Sequence, residues 1–280
     1  MRKSGVLVVL LFLLPVFCAA PVYAQAVTAA PAPELSVEQT KAFLKNAKVI
    51  GAHGTNKGVT APKRLTLSDG VLKHDAVFQA IDDHQNVANL GGGGRMATTE
   101  LRFVDSYKYN IAAYEMSRLV GLDYMMPVYV ERHWNGLTGS ISWFVPTMMD
   151  ESDRLKKKIE PPNPGEWNNQ MYRMRVFSAL LRDTDRNLTN VLITPEWKLM
   201  MIDFTRAFRL QPELLHARDL NKIDRRLLAK LEGLSRDAVK QATTNFLTGL
   251  EIDAVMARRD LLVTHFKELI ATVGEAKVLY

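Results

Sequence analysis

Three polar side chains in the stretch 180–208 (LLRDTDRNLTNVLITPEWKLMMIDFTRAF) have the types and spacing for metal-assisted chemistry on a hydroxyl or phosphate. Asp185 and Asn190 stand five positions apart, and Asp203 follows Asn190 by thirteen. Between them lie the apolar runs Val191-Leu192-Ile193 and Leu199-Met200-Met201-Ile202, separated by Thr194-Pro195-Glu196-Trp197-Lys198. Two short apolar runs around a turn-forming segment predict a β-hairpin. Its open end carries Asn190 and Asp203 side by side. An amide oxygen and a carboxylate are hard donors, suited to Mg²⁺ that also holds phosphates. Asp185, upstream on the same loop, faces a substrate hydroxyl as base or orienter. Asp183 reads as a loop brace, and Arg186 braces nearby carboxylates.

The elements around this stretch are strands first and helices later. Residues 47–50 form the first strand, followed by Gly51, Gly54 and Gly58, a second strand over 63–67, a Ser68-Asp69-Gly70 turn and a third strand within 71–81. Gly91 to Gly94 read as a flexible loop. Residues 106–121 are a helix with Ser106 as N-cap and Gly121 as its stop; Glu115 projects from its apolar face. Residues 127–132 and 140–145 alternate as strands around Asn135-Gly136. Residues 151–164 read as a surface loop, 167–181 as a helix, and 224–232, 235–247 and 251–270 as amphipathic helices.

The run Asp185-Arg186-Asn187-Leu188-Thr189-Asn190, with Ile202-Asp203-Phe204 beyond it, resembles the protein-kinase-like superfamily, nearest to its phosphatidylinositol-kinase and atypical-kinase branch. Asn187 stands where that branch has His, and Thr205 where it has Gly. Asp183 to Asn190 also match the D-x-D-x-N-x-x-N signature of a group of secreted bacterial proteins. The resemblance implies an α+β, two-lobed fold: an antiparallel N-lobe sheet with one helix (47–147) and a mainly helical C-lobe (148–280). It further implies ATP with Mg²⁺ or Mn²⁺, the metal on Asn190 and Asp203, and Asp185 as the catalytic base or orienter. The loop bearing Gly54, Lys57 and Gly58 would cover the phosphates. Residues 146–150 would be a hinge against adenine. Glu115 would answer the lysine that such folds carry on the third strand, with Asn110 the lesser candidate. That strand position holds Gln79. Lys57 in the glycine-bearing loop and Lys108 are possible substitutes, whereas Lys73 lies too far along the strand.

The N-terminus reads as a leader. Arg2 and Lys3 precede an apolar run over 6–17, and Val22-Tyr23-Ala24 offers a cleavage site, so residues 1–24 read as a secretory signal peptide cut after Ala24. Export to the periplasm or beyond follows. The run is too short for a permanent span, so no transmembrane helix is expected in the mature chain. Residues 25–46 read as a flexible arm and lead-in. Cys18, the single cysteine, lies in the leader, so thiol chemistry is excluded from the mature chain. The formal charge is +6, or +4 once Arg2 and Lys3 are gone, with no long basic run; no nucleic-acid partner is expected. The six histidines are scattered without ligand spacing, which disfavours a metal hydrolase.

Two function classes remain open. One is a metal-dependent phosphotransferase, or a nucleotide transferase using the same residues, acting on an unidentified hydroxyl-bearing substrate. The other is a secreted pseudokinase, a binding or scaffolding module for an envelope protein. Gln79, Thr205 and export away from an ATP pool favour the second, and the Asp185, Asn190 and Asp203 set favours the first.

Overall fold

The chain enters its fold through helix α1 (Val37–Asn46), where the sequence reading places an arm and lead-in. The computed structural model describes residues 35–54, 62–90 and 98–280. A capping box starts α1: the Ser36 hydroxyl accepts the Gln39 N–H at 3.2 Å, and the Gln39 side chain accepts the Ser36 N–H at 2.9 Å. Phe43 and Leu44 turn its apolar side onto a sheet. Arg132 seals the other end, donating at 2.6 Å to both Leu44 O and Ala47 O.

That sheet is antiparallel and five-stranded. It comprises β1 (Lys48–Gly54), β2 (Lys63–Ser68), β3 (Lys73–Gln79), β6 (Tyr129–Trp134) and β7 (Leu137–Trp143), ordered β1-β2-β3-β7-β6. Leu65, Leu67, Ala76, Phe78, Val130 and Ile141 point inward and pack with Phe43 and Leu44 of α1. Period-two alternation puts these side chains on one face. Gly139 is required on β7. A Cβ there would stand 2.4 Å from Gln79 O and 2.9 Å from the Phe78 ring.

Between β3 and the long helix α2 (Tyr107–Val120) the chain forms a two-stranded ribbon, β4 (Asp82–Leu90) with β5 (Thr98–Ser106). The sequence reading does not assign these strands. Gly91 to Gly94 lie outside the described residues. α2 begins and ends as expected: the Ser106 side chain accepts Lys108 N–H, and Gly121 takes a left-handed conformation at φ +75.

The second lobe opens on the short strand β8 (Met149–Asp150) and helix α3 (Glu151–Lys156), capped by the Asp150 side chain on Asp153 N–H. The sequence reading has only a surface loop there. Helix α4 (Pro164–Leu181) leads into the polar loop. β9 (Val191–Ile193) and β10 (Leu199–Met201) form the expected hairpin, with Met201 opposite Val191. Helices α5 (Arg225–Glu232), α6 (Arg236–Ala242), α7 (Gly249–Val273) and α8 (Glu275–Val278) complete the lobe. Its core joins Phe177, Leu180, Val191, Met201, Phe204, Leu231, Val255, Leu262 and Phe266. The α+β, two-lobed class is present, a small antiparallel sheet lobe followed by a mainly helical one. No helix of the described residues is long and apolar enough to cross a membrane.

Candidate active site

α4 stops at Arg182, which takes a left-handed conformation at φ +47 and delivers the chain into the loop. Asp183 is buried and binds Arg186 through Nε at 2.7 Å and Nη2 at 2.6 Å. Its other oxygen accepts the Asp185 N–H at 3.1 Å. The Arg186 guanidinium then donates to Asn190 O at 3.0 Å and Ile202 O at 2.7 Å, and lies 4.1 Å from the Phe204 ring centroid. One buried Asp–Arg pair therefore ties the loop to both strands of the hairpin.

Asp185, Asn190 and Asp203 come together on this frame. The Asn190 side chain donates to Asp185 O at 3.3 Å, which leaves its Oδ1 facing away as a hard oxygen donor. Asn190 O accepts the Ile202 N–H at 3.2 Å and so holds Asp203 beside it. Asp203 has φ +57, a left-handed conformation that costs a non-glycine residue stability unless its surroundings enforce it. Burial pushes its carboxyl above the ordinary carboxylate range; the Thr205 hydroxyl, 3.1 Å from Oδ1, and Arg186 pull the other way. The Tyr129 hydroxyl is likewise pushed up by burial, and the negative charge of Asp203 adds to that shift. An amide oxygen beside a half-buried carboxylate would suit a divalent cation, which would supply positive charge there.

The third-strand position is where expectation and structure part. Gln79 lies at the end of β3, as expected, but its partner on α2 is Asn110, not Glu115. Asn110 donates to Gln79 Oε1 at 2.8 Å and to the Ser140 hydroxyl at 3.4 Å. Glu115 sits on the opposite side of the helix, where Lys41 of α1 binds it at 2.6 Å and Arg118 at 3.1 Å. The choice of Glu115 as the partner of the strand residue is therefore corrected. Phase along one helix showed that Glu115 projects from an apolar face, but not that α1 supplies a cation there. Lys108 is taken by Asp82 at 3.1 Å. Gly54 is exposed at the end of β1, paired with Lys63. Lys57 and Gly58 lie outside the described residues.

Asp105 joins the site without any signal in the sequence. It is the penultimate residue of β5 and lies next to Thr205, because Ser106 N–H donates to Thr205 O at 2.9 Å. Burial raises its carboxyl above the ordinary range. The Thr205 hydroxyl and Arg206 oppose that shift, and the negative charge of Asp185 adds to it. The ribbon makes a second contact further out. Glu100 of β5 pairs with Arg206 at 2.5 Å and with Arg209 at 2.8 Å, fixing the segment that follows Asp203.

Comparison with solved structures identifies the architecture. A hydra Fam20 structure with sugar superimposes with a TM-score of 0.66 at 14% identity, covering 87% of this chain and 92% of that one. The Golgi casein kinase gives 0.61 at 12% identity, covering 87% and 78%. The Helicobacter pylori proinflammatory kinase CtkA gives 0.51 at 9% identity, covering 82% and 98%. No protein-family model and no curated protein matches the sequence. At these identities the likeness shows the fold, which is protein-kinase-like and of the atypical-kinase type.

Proposed function

We propose that the chain is an exported, metal-dependent phosphotransferase acting on a hydroxyl-bearing substrate. The observation that carries this reading is the assembly of Asp185, Asn190 and Asp203 at one hairpin end, with Asp203 half-buried in a left-handed conformation. In this reading Asp185 orients or deprotonates the acceptor hydroxyl. Asn190 Oδ1 and the Asp203 carboxylate hold Mg²⁺ or Mn²⁺ with ATP, and the ion supplies electrostatic stabilisation of the transferring phosphoryl group. Asp183 and Arg186 keep the loop in register. Beneath the loop, a cavity of about 340 Å³ is lined by residues that include Met171, Met174, Arg175, Asp183, Thr184 and Leu220. Cleavage after Ala24 and passage to the periplasm belong to the same proposal.

One observation favours the alternative, a pseudokinase that binds a partner in the cell envelope. The Gln79–Asn110 pair is neutral, so this position brings no cation to the phosphates. Thermal unfolding separates the readings. ATP, GTP and ADP are each added with and without Mg²⁺ or Mn²⁺, to the protein and to Asp203→Ala. A ligand at 100 times its dissociation constant stabilises by about 2.7 kcal/mol. A metal-dependent shift lost in Asp203→Ala supports the transferase. No shift with any nucleotide favours the binding module.

A further inference from the structure

We infer that Asn110 is the positioning residue for Asp203, acting through a neutral amide relay that runs from Gln79 through Asn110 to the Phe204 N–H. The inference deepens the phosphotransferase reading and rests on it for the role of Asp203. The geometry of the relay stands without that reading.

The Phe204 N–H is a donor only, so the Asn110 atom that meets it at 2.7 Å must be the oxygen. The amide nitrogen then faces β3 and donates to Gln79 Oε1 at 2.8 Å. The orientation of Asn110 follows from this chain of partners, not from the shape of the side chain. Both Asn110 and Phe204 are buried, at 1% and 0% exposure, so water does not replace the bond between them.

The relay matters because of where it ends. Asp203 holds φ +57, and the peptide on each side of it must be pinned for that conformation to persist. On the N-terminal side, the carbonyl of that peptide, Ile202 O, accepts from Arg186 Nη1 at 2.7 Å, and one peptide earlier Ile202 N–H is held by Asn190 O. On the C-terminal side, Asp203 O has a long contact from Arg186 Nη2 at 3.4 Å, and the short bond is the one that the Phe204 N–H donates at 2.7 Å to a side-chain oxygen from the other lobe. The relay thus connects β3, α2 and the candidate metal carboxylate. It occupies the place that a lysine–glutamate ion pair takes in active protein kinases, but it carries no charge.

The test reads hydrogen exchange at the Phe204 amide and Mn²⁺ affinity by electron paramagnetic resonance. Both are measured in the purified protein and in Asn110→Ala, Asn110→Asp and Gln79→Ala. In Asn110→Ala the Phe204 amide exchanges about 10- to 100-fold faster while the Ile202 amide is unchanged. Mn²⁺ affinity falls about tenfold. Asn110→Asp restores an acceptor for the Phe204 N–H, so Phe204 protection returns to within about threefold of the parent. Gln79→Ala, a milder change, keeps the acceptor and speeds exchange at Phe204 about threefold; it carries the test should Asn110→Ala not fold.

Unchanged exchange at Phe204 in Asn110→Ala and Gln79→Ala overturns the relay. So does equal loss at Phe204, Ile202 and the core amides with no rescue by Asn110→Asp. Absence of Mn²⁺ binding in the parent protein defeats the phosphotransferase reading instead, and the exchange data still decide the relay.

Discussion

At the scale of single residues, the cost of Asp203 is open to measurement. Its carboxyl is raised by burial, so folding and proton uptake are linked. Below the ordinary carboxyl value of 3.8, Asp203 is protonated in both folded and unfolded chains and carries no penalty. As pH rises, the unfolded chain loses its proton first, and stability falls until the folded carboxyl has titrated. In metal-free buffer, Asp203→Asn should therefore melt higher than the parent at pH 7, with the gap closing as pH falls toward 4. Thermal scans across that range check it; an equal or lower melting temperature for Asp203→Asn at pH 7 contradicts it. Asp183 is the converse case, a buried carboxylate fully engaged by Arg186. Asp183→Ala strands a guanidinium in the interior and should cost about 3 kcal/mol in denaturant unfolding, whereas Asp183→Asn costs less. The proximity of Asp185, Asn190 and Asp203 was legible in the sequence because one local hairpin creates it. Asn110 was named only as the lesser partner of the strand residue, and its bond to Phe204 was not legible; nor was Asp105, because Phe204 and Thr205 come from the other lobe.

At the scale of elements, the ribbon and the sheet each set the position of the site through one contact. The ribbon reaches the segment after Asp203 through Glu100, whose two oxygens hold Arg206 and Arg209. Arg209 is only 6% exposed, so Glu100→Ala leaves a buried cation without its counter-charge. A loss of about 2 kcal/mol in chemical denaturation is expected, larger than the loss from removing an exposed pair such as Arg236–Asp253. In the sheet, β7 passes so close to β3 that Gly139→Ala must push on Gln79 O. About 1–3 kcal/mol of destabilisation follows from that overpacking. A melting curve identical to the parent would mean that β3 yields freely there. The strands β2, β3 and β7 were legible because one face of each is apolar. The ribbon was not: its first strand, DDHQNVANL, opens on five polar residues, Asp82 to Asn86, and shows no apolar alternation over them. α1 carried a signal in Ser36 and Gln39, but an Ala/Pro-rich approach masked it, and tertiary packing on the sheet confirmed the helix.

At the scale of the whole molecule, Arg258 joins the C-terminal helix to the site. It is fully buried on α7, and its partners are three main-chain carbonyls: Leu180 at 2.8 Å, Arg209 at 2.7 Å and Gln211 at 2.9 Å. Leu180 lies in the last turn of α4, where carbonyls lack helical partners and the helix dipole is negative. Arg209 and Gln211 lie on the segment that leaves Asp203. A single cation thus satisfies the end of the helix that leads into the loop and the start of the chain that leaves it. From the sequence, Arg258-Arg259-Asp260 read as a solvated or salt-bridged surface, because nothing local distinguishes a buried arginine from an exposed neighbour. The general two-lobed plan was legible, since apolar periodicity changes from strands to helices along the chain, whereas this cross-connection spans 78 positions. Arg258→Ala leaves three carbonyls unpaired beside a cavity and should cost about 3–5 kcal/mol. For a chain of this size that lowers the melting temperature by roughly 6–20 °C. Arg258→Lys keeps the charge but not the fork geometry, and should fall between the two. If Arg258→Ala melts within a degree or two of the parent, the α4 terminus is held by α7 packing alone. A loss in the expected range would place the loop's anchorage 73 residues beyond Asp185, on a helix that bears none of the proposed chemistry.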